Sequence, residues 1–299
     1  ALGANTADSN TAVGYSALAA NTTGVYNTGI GVNTLATSTT ANNNVAVGHK
    51  ALYANTTGAE NIAIGKGALD ANTTADSNVG IGNNALGANT TGDENVAVGS
   101  VALDANTTGV SNTALGSGAL GANTTASFNT AVGRLALSAN STGAHNTAVG
   151  KDALAANTTG DNNIGMGRDA GQSITTGSNN IAIGVEAYET ATEANGNIAI
   201  GKGALKANTT GTENVCIGHE AGNDITTGAG HTLIGYLAGD KITTASQCTA
   251  IGDEALGGAN TGSHNTCVGY NSMLQNTSGD FNTMIGSESG DANTTGANQ

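Results

Sequence analysis

Three acidic side chains stand at equal spacing in the middle of the chain. Asp152, Asp169 and Glu186 are each seventeen residues apart, so a fold that repeats every seventeen residues would stack them in one column. Carboxylates about 5 Å apart repel one another unless a cation bridges them or solvent screens them. The column is therefore a weak candidate for a cation site. Because Lys151 and Arg168 stand beside the carboxylates, the sequence favours a solvated, charge-compensated surface over that site.

The remaining residues with chemical potential do not form a pattern that supports catalysis. The five histidines occupy three different places of the seventeen-residue spacing, so they predict neither a metal cluster nor a catalytic triad. The run Gly116–Gly121 spells a dinucleotide-binding fingerprint, but no helix-forming segment follows it. We expect no catalytic residue, no cofactor and no enzymatic activity. The histidines are His49, His145, His219, His231 and His264.

The seventeen-residue spacing runs through the whole chain and must position every side chain. From Asn10 to Asn298 the sequence contains seventeen copies of one unit without insertion or deletion. Such a gapless repeat is typical of a solenoid. We call each copy a coil and number its positions 1 to 17, with Asn10 at position 1 of the first. Residues 1–9 are a partial N-terminal coil, and residues 10–299 are predicted to form one continuous β-solenoid.

Positions 2 to 4 predict a short strand in every coil. Position 2 is Thr, Val or Ile and position 4 is Val, Ile, Leu or Met, a β-branched pattern of period two. We assign positions 2 and 4 to the interior of the coil. Position 3 is small or apolar in every coil and never charged, so we predict that it packs against another copy of the chain. The residues predicted for this intersubunit face are Ala114, Ala131, Ala148, Cys216, Leu233, Cys267 and Met284.

Position 5 is glycine in every coil and predicts a turn that ends the strand. A turn with positive φ, or one where a Cβ would collide with a neighbour, requires this residue. At position 15 the chain has glycine or alanine, so we expect small size to matter there more than backbone freedom. The glycines that we single out as structural turns are Gly14, Gly65, Gly150, Gly218 and Gly286.

Positions 8 to 12 predict how the coil is filled. Ala at position 8 and Leu at position 9 predict a second short strand that closes the core. Where position 9 is Gly, position 12 changes from Asn to Ile, as expected of a core that keeps its volume. Asparagines at positions 1 and 12 are predicted to stack in ladders, with ordinary turn residues as the alternative. The exchanged pairs are Gly171/Ile174, Gly222/Ile225 and Gly239/Ile242, and Gly290 with Asn293 is the exception.

Composition excludes several classes of partner. The 299 residues contain no proline, which fits a backbone that is hydrogen-bonded on both sides of every coil. A net charge of −14 argues against nucleic acid as a partner. No apolar run is long enough for a membrane span, so we expect no membrane insertion. Each coil carries only two or three large apolar groups, so we expect association of several chains to be needed.

The coil motif resembles the repeats of two families. Residues 146–150, Asn-Thr-Ala-Val-Gly, followed by Ala153-Leu154 and by Asn-Thr-Thr-Gly at 157–160, resemble repeats of phage tail-fibre proteins. The strand Asn-Ile-Ala-Ile-Gly at 180–184 and 197–201 is similar to the head repeats of trimeric autotransporter adhesins. The resemblance implies a left-handed parallel β-roll with three chains around one axis, although the present coils are longer than those of typical adhesin heads.

The resemblance implies a function in attachment. We expect a structural fibre segment, the shaft or receptor-facing part of a phage tail fibre. It would act as a homotrimer or higher fibre, and its partner would be a glycan or protein of the host or cell surface. Its place would be the virion, or otherwise the cell exterior. The alternative is a bacterial surface adhesin or self-assembling extracellular filament. A third hypothesis is an ice- or mineral-binding solenoid that uses the threonines at positions 13 and 14, although adjacent threonines specify no flat array.

Overall fold

Each coil contributes one short strand to a parallel β-solenoid. The computed structural model describes residues 5–299, and it contains two compact units, one ending at Asn146 and one beginning at Thr147. Strands of three residues recur every seventeen residues, and no helix occurs between residues 5 and 299. The predicted all-β parallel solenoid with seventeen-residue coils is therefore confirmed. A single continuous domain over residues 10–299 and the left-handed sense stay predictions.

The strands of each unit pair in parallel with the next strand of that unit, and every residue faces the one seventeen positions later. The unit that ends at Asn146 contains β1 (Thr11–Val13), β2 (Thr28–Ile30), β3 (Val45–Val47), β4 (Ile62–Ile64), β5 (Val79–Ile81), β6 (Val96–Val98), β7 (Thr113–Leu115) and β8 (Thr130–Val132). The unit that begins at Thr147 contains β9 (Thr147–Val149), β10 (Ile164–Met166), β11 (Ile181–Ile183), β12 (Ile198–Ile200), β13 (Val215–Ile217), β14 (Thr232–Ile234), β15 (Thr249–Ile251), β16 (Thr266–Val268) and β17 (Thr283–Ile285).

Main-chain hydrogen bonds join consecutive coils outside the strands as well. The amide of Leu52 donates to the carbonyl of Ala68 at 3.0 Å, and the amide of Thr56 donates to the carbonyl of Thr73 at 2.9 Å. Equivalent bonds recur along both units. Proline lacks the N–H that these bonds need, which accounts for its absence from the chain.

The glycine at position 5 adopts the predicted backbone conformation. Its φ lies between +125° and +143° in all seventeen coils, a range that residues with a side chain rarely adopt. A Cβ at Gly31 would lie 2.6 Å from the carbonyl oxygen of Gly48 in the next coil. Position 5 therefore admits only glycine for two reasons, the dihedral angle and the contact between coils. Position 15 differs as predicted, since Gly24 and its equivalents do not have positive φ.

The predicted orientation of the strand is wrong. Position 3 points into the coil rather than toward another chain, and positions 2 and 4 point outward. Ile62 and Ile64 are 37% and 39% exposed, whereas Ala63 between them is fully buried. Six of the seven residues predicted to form an intersubunit face are fully buried within their own chain: Ala114, Ala131, Ala148, Cys216, Leu233 and Cys267. Met284, the seventh, is half-buried in the last coil.

The physical reason is the narrow interior, where position 3 faces the side chain at position 9. A Cβ at Gly80 would lie 3.2 Å from Cγ of Leu69 in the preceding coil, so only a small residue fits opposite a leucine. Where position 9 is glycine, a larger residue can occupy position 3. Gly239 stands opposite Leu233, and its Cβ would lie 2.9 Å from Cδ1 of that leucine. The small residues at position 3 are therefore explained by the limited space inside one chain.

Position 9 lies in a turn, so the predicted second strand is also wrong. Leu52 and its equivalents have φ near +50° and are fully buried. A left-handed conformation costs an L-residue roughly 1–2 kcal/mol. Burying a leucine side chain contributes about 1.5–3 kcal/mol, which is enough to offset that cost.

The exchange between positions 9 and 12 is confirmed. A Cβ at Gly171 would lie 3.0 Å from Cδ1 of Ile174, so the isoleucine fills the space that a leucine occupies elsewhere. The exception at Gly290 has a packing reason that the sequence analysis missed. A Cβ there would lie 2.9 Å from Cγ of Met284, because this large side chain at position 3 fills the interior of the coil.

Both asparagine ladders are confirmed, and they differ in their bonds. At position 1, Asn44 Oδ1 accepts the amide N–H of Asn61 at 2.9 Å, and Asn61 Nδ2 donates to the carbonyl of Ala75 at 2.8 Å. At position 12, Asn72 Nδ2 donates to Asn55 Oδ1 at 2.9 Å. These buried amides satisfy one another and the main chain, as buried polar groups must.

Candidate interaction surface

In each unit, the outward side of the strands forms a surface that we call the aliphatic face, defined as the side chains at positions 2 and 4 of β1–β8 in one unit and of β9–β17 in the other. It contains Thr, Val, Ile, Leu and Met, and no charged residue in any coil. Its side chains are half-buried or exposed; the most exposed are Ile285, Val13 and Ile30, and Ile64 is 39% exposed in the middle of one unit. Extended aliphatic surface without charge is typical of sites that contact another macromolecule.

The composition of the aliphatic face changes along each unit. Position 2 is Val or Ile in four consecutive coils of each unit and Thr in all other coils. We call the side chains at positions 2 and 4 of β3–β6 the first aliphatic patch and those of β10–β13 the second. The position-2 residues of the patches are Val45, Ile62, Val79 and Val96 in the first and Ile164, Ile181, Ile198 and Val215 in the second.

The paired threonines at positions 13 and 14 have separate roles. The hydroxyl of Thr56 at position 13 donates to the carbonyl of Thr73 in the next coil at 3.0 Å, and most coils repeat this bond. Thr57 at position 14 is exposed. Half of these hydroxyls are therefore committed to joining coils, and ice or mineral binding stays an untested hypothesis.

The acidic column is compensated by basic side chains, as predicted. Hydrogen bonds from Lys206 and Arg168 lower the pKa of Glu186 to about 2, so its carboxylate stays charged. Lys206 was missed by the sequence analysis, although Glu189 precedes it by seventeen residues and pairs with it at 3.1 Å. The other ion pairs are Lys151–Asp152 at 2.6 Å, Arg168–Asp169, Arg168–Glu186 at 2.8 Å and Lys206–Glu186 at 2.7 Å.

This ion-pair network does not have the arrangement of a cation site. Each carboxylate of the column, Asp152, Asp169 and Glu186, is engaged by a lysine or arginine. Across residues 5–299, no three His, Cys, Asp or Glu side chains are grouped so as to hold a metal ion. The network compensates the charge of carboxylates that are only 12% to 26% exposed.

The histidines lie apart from one another, and three of them stack on aromatic rings of a neighbouring coil. The ring centroids are 5.0 Å apart for Phe128 and His145 and 4.6 Å apart for His264 and Phe281. His219 stacks on Tyr236 at 5.5 Å. The sequence analysis missed these stacks, although each pair is separated by exactly one coil, a spacing that would have revealed them.

The three cysteines, Cys216, Cys248 and Cys267, are free and buried. Burial raises the pKa of the Cys267 thiol to about 12, so the thiol is protonated at neutral pH. Burial likewise raises the pKa values of Cys216 and Cys248. A protonated, inaccessible thiol is neither a nucleophile nor a metal ligand.

Comparison with known proteins adds no family to this description. The chain matches no protein-family model, no curated protein and no solved structure. In residues 5–299 there is also no helix with the length and apolar character needed to cross a membrane. The resemblance to tail-fibre and adhesin-head repeats therefore rests on the coil motifs themselves.

Proposed function

We propose that the chain is a non-enzymatic structural segment of a fibre, in which several copies associate and the stacked coils are the building material. The observation that carries the proposal is the repetition of the same bonds from coil to coil within each unit. Asn44 bonds the amide of Asn61, and Asn61 in turn bonds the amide of Asn78 at 2.9 Å. A chain in which a buried asparagine joins one coil to the next again and again is suited to a mechanical role.

The proposed assembly is a homotrimer. The coil motif supports this number through its resemblance to trimeric fibres and adhesin heads. The exposed aliphatic columns also support association, since water-exposed Val and Ile side chains at regular spacing favour contact with another apolar surface.

The proposed setting is a phage tail fibre, in which the segment serves as shaft or as the part that contacts the host surface. A bacterial surface adhesin or extracellular filament is the second setting. Both settings require the same trimeric fibre segment, so the proposed assembly does not depend on which of them applies. The recognised partner would be a surface glycan or protein.

Sedimentation equilibrium tests the proposal. The expected mass is three times the 28.9 kDa of one chain, stable on dilution. A folded monomer at micromolar concentration would contradict the proposal.

A further inference from the structure

We propose that the aliphatic face of each unit is the surface on which a second copy of this chain docks, in parallel orientation, so that the position-2 column of one copy lies against the position-4 column of the other. This inference rests on the proposed function and adds to it the surface of association and the pairing of the columns.

The geometry of the face favours an identical surface as its partner. The columns at positions 2 and 4 form two ridges, and the main chain at position 3 forms the groove between them, because Ala63 and its equivalents turn inward. Both copies repeat along the coil axis at the spacing of their strands, about 4.8 Å. The side chains of an identical copy in parallel orientation therefore recur at the same axial spacing, coil after coil.

The chemistry of the face favours a dry contact. Neither column carries a charge in any coil, so docking removes no ionised group from water. The remainder of the chain is acidic, with a net charge of −14, which disfavours most other contacts between copies. The aliphatic face is the surface on which two copies approach at the least electrostatic cost.

The size of the face matches a stable interface. Strands about 10 Å long at a spacing of about 4.8 Å present, summed over both units, on the order of 800 Å². One partner of a standard protein interface contributes about 800 Å². The face is thus large enough for a specific contact, and little of it would remain uncovered.

A charge-insertion experiment tests the surface. The double variant Ile62→Lys/Ile64→Lys changes outward side chains that are 37% and 39% exposed, and Val32→Lys is the matched control. Val32 is 43% exposed and lies at position 6, outside the face. We expect the double variant to sediment as a monomer at concentrations where the parent and Val32→Lys remain assembled. An assembled double variant would overturn the proposal.

Cysteine crosslinking tests the pairing of the columns, and it decides the matter if the lysine variant fails to fold. Facing sheets lie about 10 Å apart, so a bifunctional maleimide of about that length should join Ile62→Cys chains to Ile64→Cys chains in a mixture. Val32→Cys chains, whose cysteine lies outside the face, should not be joined. No crosslink in the mixture, or an equal yield in Val32→Cys, would overturn the proposal.

The two proposals fail separately. A monomeric parent would remove both the fibre and the interface. If the parent is a trimer and the Ile62→Lys/Ile64→Lys variant also remains a trimer, the fibre proposal stands, and the interface must lie on another side of the coil.

Discussion

His231 stands at position 1, where fifteen other coils have asparagine. It reproduces both bonds of the amide: the amide N–H of Cys248 donates to Nδ1 at 3.2 Å, and Nε2 lies 2.8 Å from the carbonyl of Ala245. Because Nδ1 accepts a hydrogen bond, the proton of the neutral ring is on Nε2. The ladder thus selects one tautomer of an uncharged histidine.

Acid should weaken the fold through this residue. Burial lowers the pKa of His231 below its ordinary value near 6.5, although its two backbone hydrogen bonds act in the opposite sense. A group whose pKa is lower in the folded state contributes its full stability above the unfolded pKa and loses it as the pH falls toward the folded value. We therefore expect the melting temperature to drop below about pH 6.5.

The matched variant for this acid effect is His231→Asn, which restores the amide of the other coils. Melting curves from pH 8 to pH 5 should show a smaller loss of stability for His231→Asn than for the parent. Parallel curves for the two proteins would show that another group controls the acid response.

The turn at position 5 offers a second test on a single residue. At Gly150 φ is +137°, and a Cβ would overlap the carbonyl oxygen of Gly167. We expect Gly150→Val to cost on the order of 3 kcal/mol or more, or to prevent folding. Lys151→Ser removes an exposed ion pair and should cost less than about 1 kcal/mol. Urea unfolding of both variants measures the difference, and equal midpoints would refute the turn argument.

At the scale of one ladder, the position-12 asparagines are not equivalent. Asn72 donates to Asn55 Oδ1 and to the carbonyl of Ala75. Asn208 is fully buried, and neither its Oδ1 nor its Nδ2 has a partner. Ala191 and Ile225 occupy position 12 in the coils on either side, so no neighbouring amide is available to it. One ladder therefore contains both a satisfied amide and an isolated one.

The two amides should respond differently to removal. Asn72→Ala leaves buried partners unpaired and should cost about 2 kcal/mol or more, whereas Asn208→Ala removes an unsatisfied group and should change stability by less than about 1 kcal/mol. Chemical denaturation of the two variants provides the comparison. A cost for Asn208→Ala as large as that for Asn72→Ala would mean that volume, rather than hydrogen bonding, governs the ladder.

At the same scale, the coil length, the strand and the turn glycine could be predicted because they depend only on repetition and period. Which strand face points inward could not be predicted from the period of two, since positions 2, 3 and 4 all lack charge. The deciding signal was a correlation across the coil: Leu233 and Met284, large at position 3, each accompany a glycine at position 9. Two residues that exchange volume must share one interior.

The candidate surface was harder to predict than the fold for a related reason. Aliphatic side chains at alternate positions usually form a core, so Ile62 and Ile64 were assigned to one. Turn residues such as Leu52 fill the interior instead, and their left-handed φ leaves no trace in the residue type. The aliphatic face is exposed because a turn residue fills the interior in its place, and the turn conformation cannot be predicted from the sequence pattern.

At the scale of the whole molecule, association through an uncharged face has a distinct thermodynamic response. Hydrophobic contact weakens on cooling and strengthens in sulfate, and salt screens the repulsion between chains of net charge −14. We therefore expect the assembly to dissociate more readily near 4 °C in low salt than near 30 °C in sulfate. Sedimentation velocity under both conditions measures this, and dissociation caused by salt would point to ion pairs instead.

The burial of the position-12 asparagines also limits the conditions under which this chain can fold, because these residues are potential glycosylation sites. Eleven of its asparagines begin an Asn-X-Ser/Thr acceptor sequence for N-linked glycosylation, and ten of these are fully buried. The atom that would carry the sugar, Nδ2, is the one that donates to the neighbouring amide in Asn72. The eleven are Asn21, Asn55, Asn72, Asn89, Asn106, Asn123, Asn140, Asn157, Asn208, Asn276 and Asn293.

A glycan added to the nascent chain would therefore be incompatible with coil closure, because no space exists for it inside. Expressed through a glycosylating secretory pathway, the chain should be retained as misfolded, sugar-bearing material, and tunicamycin should restore the folded protein. Digestion with an endoglycosidase and limited proteolysis would distinguish the two forms, and secretion of a folded, glycosylated chain would refute the expectation. The ladder that holds the coils together requires synthesis in a compartment that leaves asparagine unmodified.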